Sequence, residues 1–360
     1  MKILLLTKYS RMGASSRLRY LQYLPALNAN GLDVTVSNFL NDTYLSDFYL
    51  NGQRSFFSIA KCYFRRFVIV LSVFKYDLIW IEKEIFPYFP ALVERLLRIF
   101  GIAYVVDYDD AIFHNYDLSD NVFIRTFMRR KIDVVMRNAT CVLAGNEYLA
   151  ARARAAGAPY VELIPTVVDL VRYSPRAHLV SVRPVIGWIG SPATQRYLVG
   201  ISDALKKACQ QHNARLMLVG ATEQMVAEFS GLDIDIVPWS EASEVELIRQ
   251  MDIGIMPLPD GPWEKGKCAY KLIQYMACSV PVIASPVGVN IDVVNGSLCG
   301  LLADDSAQWE AALLQLLESP EQRLLLGNAG RKAVENRYSL QVQAPLLRQI
   351  FNSAIQPGRV

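Results

Sequence analysis

Little in this 360-residue chain marks it as a metalloprotein, a secreted scaffold or a membrane span. Its six cysteines (Cys62, Cys141, Cys209, Cys268, Cys278 and Cys299) are scattered and form no CxxC pair. That argues against a zinc site or a disulfide framework and suits reduced thiols in the cytoplasm. No spaced GxGxxG fingerprint and no Walker loop occurs, so dinucleotide and ATP readings lose their support. Internal repeats and low-complexity tracts are missing as well. The opening stretch, MKILLLTKYS, has too short an apolar run and no small-residue cleavage site, and reads as a strand, not a signal peptide.

Apolar residues, by contrast, make up 52% of the chain, ample for two cores in a sequence beyond the size at which one core usually keeps growing. Charge is unevenly spread. Residues 1–173 carry 21 Lys+Arg against 16 Asp+Glu and the remainder 16 against 18, so the net +3 conceals a basic first half. Between Asp47 and Asp77 there is no acid, while Arg54, Lys61, Arg65, Arg66 and Lys75 interleave with Phe56, Phe57, Tyr63, Phe64, Phe67 and Phe74. Such a basic, aromatic, amphipathic segment suits the surface of an anionic bilayer; a core helix with a solvated basic edge is the alternative. It does not span one, because its longest uncharged stretch, Phe67 to Phe74, is far short of the roughly 20 residues a transmembrane helix needs. No nucleic-acid recognition motif accompanies it.

Along the chain, short β-branched runs alternate with longer periodic segments. KILLLT, DVTVSNF, YDLIWIE, AYVVDYDD, ATCVLAGN and YVELIP read as strands, with helices such as SSRLRYLQYLPALNANG between them. A second series starts near Pro184: VIGWIG, RLMLVG, DIDIVPW, IGIMPL and PVIAS, again with helices between. This βα alternation predicts the α/β class, with two parallel doubly wound sheets covered by helices on both faces. Domain boundaries are expected at 1–173 and 174–337, with the aperiodic VVDLVRYSPRAHLVSVRP as linker; a terminal helix within 338–360 is not needed by the second sheet and returns to the first.

In open α/β sheets ligands bind beyond the carboxyl ends of the strands, where helix N-termini meet anions. Four loops there carry candidate residues. RMGASSRLR offers Gly13 for close approach, Ser15 and Ser16 as caps, and Arg17 and Arg19 as cations at a helix start, where the helix dipole disfavours them unless an anion or acceptor is bound. GWIGSPATQRY offers Gly190, Ser191 and Arg196. In WEKGKCAYKLIQYMACSVPVIAS, Lys267, Lys271 and Gln274 fall at i, i+4 and i+7 and are expected on one polar stripe of a helix, where a diphosphate would relieve the crowding of the two lysines. SPVGVNIDVV builds a turn around Pro286, Gly288 and Asn290. A fifth stretch, VVDYDD, crowds Asp107, Asp109 and Asp110 at a strand end with Lys83 as a neighbour, which should raise at least one carboxyl pKa. His114 is expected to be a surface or packing residue and not a catalyst.

Together, LIPTVVDLVRYSP, GKCAYKLIQYMACSVPV and YMACSVPVIASPVGVN resemble glycosyltransferase family 4, whose members are retaining enzymes of the GT-B fold, in a branch found in bacterial surface-polysaccharide gene clusters. The resemblance runs the length of the chain. It implies two Rossmann-like domains facing a cleft, with a C-terminal helix crossing back to the N-terminal domain, acceptor held by the first domain and donor by the second. The family's two glutamates, eight positions apart, fall here on Gly266 and Gln274, leaving Gln274 for the donor ribose and Glu264 as a substitute near the sugar. Its diphosphate-binding Arg and Lys fall on Ser191 and Arg196, and Lys267 and Lys271 are expected to replace the missing charge. Its histidine–aspartate pair falls on Tyr108 and Asp109, which makes Asp109 or Asp110 the candidate catalytic group. Pro238 and Trp239 occupy the stretch that holds the nucleobase.

The resulting expectation is a retaining hexosyltransferase using a UDP- or GDP-type sugar without a metal or other cofactor. It would act on a lipid-linked or polysaccharide acceptor as a cytoplasmic protein peripheral to the inner face of the membrane. A non-hydrolysing nucleotide-sugar epimerase and a non-catalytic, transferase-like binding subunit are the rival readings.

Overall fold

The computed structural model describes residues 1–41, 56–176 and 183–356, so Arg54 and part of the expected linker lie outside the described residues. The chain divides into two compact units: Met1–Thr166 with Gly266–Cys268 and Gln343–Val360, and Val167–Lys265 with Ala269–Val342.

In the first unit the order is β1 (Lys2–Tyr9), α1 (Ala14–Arg19), α2 (Leu24–Ala29), β2 (Asp33–Leu40), α3 (Phe56–Val70), β3 (Leu78–Glu82), α4 (Leu92–Ile99), β4 (Tyr104–Tyr108), α5 (His114–Asp117), α6 (Val122–Phe127), α7 (Lys131–Asn138), β5 (Cys141–Ala144), α8 (Glu147–Ala155) and β6 (Val161–Leu163). The strands are parallel in the order β2-β1-β3-β4-β5-β6. Ile3 to Leu6, Leu78 to Ile81 and Tyr104 to Val106 are buried on both faces, which is why they read as continuous apolar runs. The long helix expected after β1 is instead α1, a 3₁₀ turn and α2, with Pro25 fixing the first turn of α2.

The second unit runs β7 (Val185–Ile189), a 3₁₀ segment (Gln195–Ile201), α9 (Ser202–His212), β8 (Arg215–Val219), α10 (Gln224–Glu228), β9 (Ile234–Val237), α11 (Glu244–Arg249), β10 (Ile253–Met256), α12 (Pro262–Lys265), α13 (Tyr270–Ala277), β11 (Val282–Ala284), α14 (Asn290–Ser297), β12 (Gly300–Leu302), α15 (Ser306–Glu318) and α16 (Pro320–Arg337). Its sheet, β12-β11-β10-β7-β8-β9, is also parallel and doubly wound. Two apolar layers cover its faces, one around Leu272, Met276 and Val294, the other around Trp188, Leu205 and Trp309. The last helix, α17 (Leu340–Ala354), begins in the second unit and from Gln343 belongs to the first, where Phe351 meets Trp80 edge-on at 5.0 Å.

This strand order sets where chemistry can happen. Order reverses between β1 and β3 in one unit and between β7 and β10 in the other, and at each reversal the flanking loops diverge and open a crevice.

Candidate active site

At the first reversal, charges are matched inside the protein. Glu82, last residue of β3, accepts from the Lys8 amide at 2.7 Å and from the Ser16 hydroxyl at 2.6 Å, while the Ser16 oxygen accepts from the Tyr9 amide at 3.0 Å. One residue on, Lys83 adopts a left-handed backbone (φ 65°), a conformation a lysine takes only when its surroundings impose it. Its ammonium lies 2.9 Å from Asp109 Oδ1 and 2.9 Å from Asp110 Oδ2. Burial would raise the Asp109 carboxyl, but Lys83 and a hydrogen bond from Ser15 outweigh it and hold the pKa below the usual carboxylate value. Burial pushes Asp107 up to about 6 although Arg19 Nε donates to it at 2.8 Å. One of the three carboxyls is raised, then, but it is Asp107, and burial, not crowding, is the main cause. Asp109 is ionised and Ser15 and Lys83 aim at it. Asp110 binds Lys83 and caps no helix.

The arginines of the first loop need correction. Because α1 has only six residues, Arg17 and Arg19 stand in its last turn, where the dipole favours cations, and no bound anion is required to explain them. Both are buried: Arg17 Nη1 donates to the Arg11 carbonyl at 3.0 Å, and Arg19 holds Asp107. Gly13 is the N-cap residue, and neither Ser15 nor Ser16 caps the helix; Ser16 serves Glu82 and Ser15 serves Asp109. Tyr108, which the resemblance sets in the place of a histidine, is buried in the core. His114 bonds Asp117 and Tyr148, both at 2.8 Å, as a packing residue would.

At the second reversal the floor is neutral. A side chain at Gly190 would collide with the Trp188 indole, so only glycine fits there. The Gly190 amide already donates to Val219 O at 2.9 Å and the Ser191 amide to Thr194 Oγ1 at 3.2 Å, which leaves these two N–H groups committed to the loop itself. Arg196 is exposed, 5.3 Å over the Tyr197 ring. Helix α13 is pinned here by Tyr275, whose hydroxyl accepts from Ile189 N at 3.0 Å and donates to Ile255 O at 3.3 Å, bridging β7 and β10. Its start has no side-chain cap.

The expected polar stripe does not exist. The helix starts at Tyr270 after Ala269, which is left-handed (φ 52°), so Lys267 precedes it. Lys267 lies in Gly266–Cys268, part of the first unit, where its carbonyl accepts from Asn146 at 2.9 Å and Cys268 Sγ meets Asp109 O at 3.2 Å. Lys271 does sit on α13, with its ammonium 5.7 Å over the Trp188 ring. Gln274 is only 3% exposed and turns away from any solvated stripe.

Gln274 instead joins a cluster that sequence reasoning missed. Its amide nitrogen donates to Tyr173 OH at 2.8 Å and to Glu244 Oε2 at 3.4 Å. Glu244 is buried in α11 and also accepts from the Trp239 indole (2.9 Å), Tyr173 OH (2.8 Å) and Arg172 (2.6 Å). Nothing in the string SEASEVE sets Glu244 apart from Glu241 and Glu246; only the fold turns it inward. With both amide hydrogens used, Gln274 has only Oε1 left, an acceptor. Trp239 keeps 37% of its surface exposed, and Pro238 beside it is exposed. Glu264 is buried and accepts from Tyr197 OH at 2.6 Å. Gly288 (φ 54°) packs on the Lys265 backbone, which a side chain there would overlap. Among the described residues, no group of three or more His, Cys, Asp or Glu is arranged to hold a metal.

Two parallel doubly wound units, each with polar residues at its strand-order reversal, define an α/β protein of the GT-B fold type. Residues 183–319 match the family model described as "Glycosyl transferases group 1". No curated protein matches the sequence. Solved structures do match in fold. Sucrose-phosphate synthase from Thermosynechococcus elongatus aligns at 20% identity over 98% of both chains, with a TM-score of 0.74. Anabaena HepE, solved with UDP-glucose, aligns at 17% identity over 98% of this chain and 100% of that one, TM-score 0.72. WaaG, described as a glycosyltransferase involved in lipopolysaccharide biosynthesis, aligns at 14% over 99% and 100%, TM-score 0.69.

Proposed function

We propose that the protein is a retaining glycosyltransferase that moves a hexose from a UDP- or GDP-type sugar to a lipid-linked saccharide in bacterial surface-glycan assembly. The observation that carries the reading is the uncapped start of α13, with Lys271 beside it, at the strand-order reversal of a unit that matches the glycosyltransferase model. A departing nucleoside diphosphate gains negative charge as the glycosidic bond breaks, and helix-end amides with a lysine stabilise that charge. Gln274 Oε1 is the acceptor for a ribose hydroxyl, a task a carboxylate oxygen performs equally well, and Trp239 offers its ring to the base. Glu264, held by Tyr197, and Gly288 serve the sugar side. The UDP-glucose bound by HepE and the lipopolysaccharide role of WaaG support this choice of substrates.

In the first unit, Asp109 is the group that takes the acceptor hydroxyl's proton, with Lys83 keeping it ionised until then. The enzyme works at the inner face of the membrane, docked through α3, whose Phe56, Phe57, Phe64 and Phe67 are exposed alongside Lys61. Arg66 takes no part in docking: it is buried and donates to Thr7 O at 2.6 Å and Ser37 O at 3.0 Å, while exposed Arg65 is tied to Asn38 O at 2.6 Å. Among the described residues, no helix is long and apolar enough to cross a membrane.

Incubating the protein with a panel of nucleotide sugars and a lipid-linked acceptor tests the reading. Released nucleoside diphosphate together with an α-configured product from an α-configured donor is the expected result. An epimerised donor, or binding without turnover, would replace it with one of the two rivals.

A further inference from the structure

A second acid-free, basic and aromatic segment lies in the first unit, at NVFIRTFMRRKI (residues 121–132). Its helix, α6, buries none of its own residues. The Asn121 side chain caps it, accepting from Phe123 N at 3.0 Å and Ile124 N at 3.4 Å, and Ile124 and Met128 rest against the core. That attachment turns Phe123 and Phe127 outward. They are 76% and 78% exposed, their rings stacked 6.3 Å apart, with exposed Val122 and Leu118 nearby. A six-residue helix is far below the roughly 12–15 residues at which a helix sustains itself in water, and its apolar side chains gain nothing from solvent.

Beside it opens a cavity of about 280 Å³ lined by Arg129, Arg130, Arg152, Asp117 and Asp133. Arg152 reaches both carboxylates, Asp117 at 3.2 Å and Asp133 at 2.7 Å, while Arg129 and Arg130 are exposed at the rim. Three guanidinium groups face two carboxylates, and Arg125 adds a further exposed cation on α6. An apolar wedge next to an excess of arginine complements a lipid whose headgroup carries a phosphate.

We propose that α6 is a second bilayer-contact element, independent of α3, in which Phe123 and Phe127 enter the headgroup–acyl boundary of an anionic membrane and Arg129 and Arg130 engage lipid phosphates. This rests on the membrane-facing part of the function proposed above. Aromatic rings supply affinity for any bilayer, and the arginines supply the preference for negative charge.

Co-sedimentation with phosphatidylcholine vesicles, with and without phosphatidylglycerol, tests it on the full chain. Phe123→Ser combined with Phe127→Ser should weaken partitioning to both vesicle types about tenfold, while melting temperature and donor hydrolysis stay unchanged. Arg129→Glu with Arg130→Glu should weaken it only on phosphatidylglycerol vesicles, in a manner that added salt abolishes. Phe64→Ser with Phe67→Ser tests α3 separately. If the α3 variant loses binding and the α6 variants do not, α6 is no bilayer contact although membrane docking stands. If the wild type ignores both vesicle types, both membrane elements fall while donor turnover still tests the transferase. A wild-type dimer that the Phe123/Phe127 variant converts to a monomer would make this face an interface between copies and overturn the proposal.

Discussion

The two strand-order reversals solve opposite electrostatic problems. At β1/β3, cations and carboxylates of the protein neutralise one another: Arg19 with Asp107, and Lys83 with Asp109 and Asp110. At β7/β10 the floor is glycine, serine and an uncapped helix end, with Lys271 over an indole and no carboxylate in the glycine loop. At β1/β3 each of these cations is already held by carboxylates of the protein itself. An uncapped helix end with a lysine in its first turn suits a ligand that brings its own negative charge.

Removing a cation should therefore hurt the two regions differently. Lys83→Ala leaves two carboxylates without their counter-ion, one of them largely buried, and is expected to cost about 3 kcal/mol or more of stability, read by chemical denaturation; an unchanged midpoint would show the balance to be dispensable. Asp109→Asn should lower turnover about 100-fold with nucleoside-diphosphate affinity intact, and near-normal rates would move the catalytic role elsewhere. Lys271→Ala should leave the fold intact and weaken UDP or GDP binding by about 1.5–3 kcal/mol in calorimetry; equal affinity would remove the lysine from the diphosphate site.

A subtler contrast concerns Gln274. Gln274→Glu would set a second carboxylate against Glu244, so one of the pair must hold a proton, and stability should fall as pH rises instead of improving. A melting temperature independent of pH in that variant would mean the two groups do not interact. The smallest effect is in the wild type. Asp107 has its folded pKa raised to about 6, above the roughly 3.9 of an unfolded aspartate, so its protonated form is favoured by folding. That contribution is fully present below about pH 4 and is lost as pH rises through about 6, while the depressed Asp109 acts in the opposite sense below its unfolded pKa. Asp107→Asn should flatten the melting-temperature profile between those two pH values by a few degrees; an unaltered slope would locate the titration in another group.

Strands such as VIGWIG and KILLLT were legible because burial on both faces leaves an unbroken apolar run, and βα alternation then carries the fold class. The aspartates of VVDYDD and the glycine after β7 were legible because strand ends are where such residues matter. Other parts had no local signature. Arg19 and Asp107 are 88 residues apart, and nothing near either names its partner. An i, i+4 spacing is meaningful only if both residues are helical, and a left-handed alanine at position 269 breaks that condition with no glycine or proline between Lys267 and Lys271 to announce it. Glu244 shows the same limit from the other side: its inward turn comes from how α11 packs, not from its neighbours in sequence.

The Tyr275 hydroxyl carries a mechanical consequence. β7 and β10 pair directly at Ile186–Ile253 and Gly187–Gly254, and past that point this phenol joins the two backbones. It works as a spacer bar that sets the width of the opening at the strand tips. A side chain with no exposed surface thereby fixes the gauge of that opening.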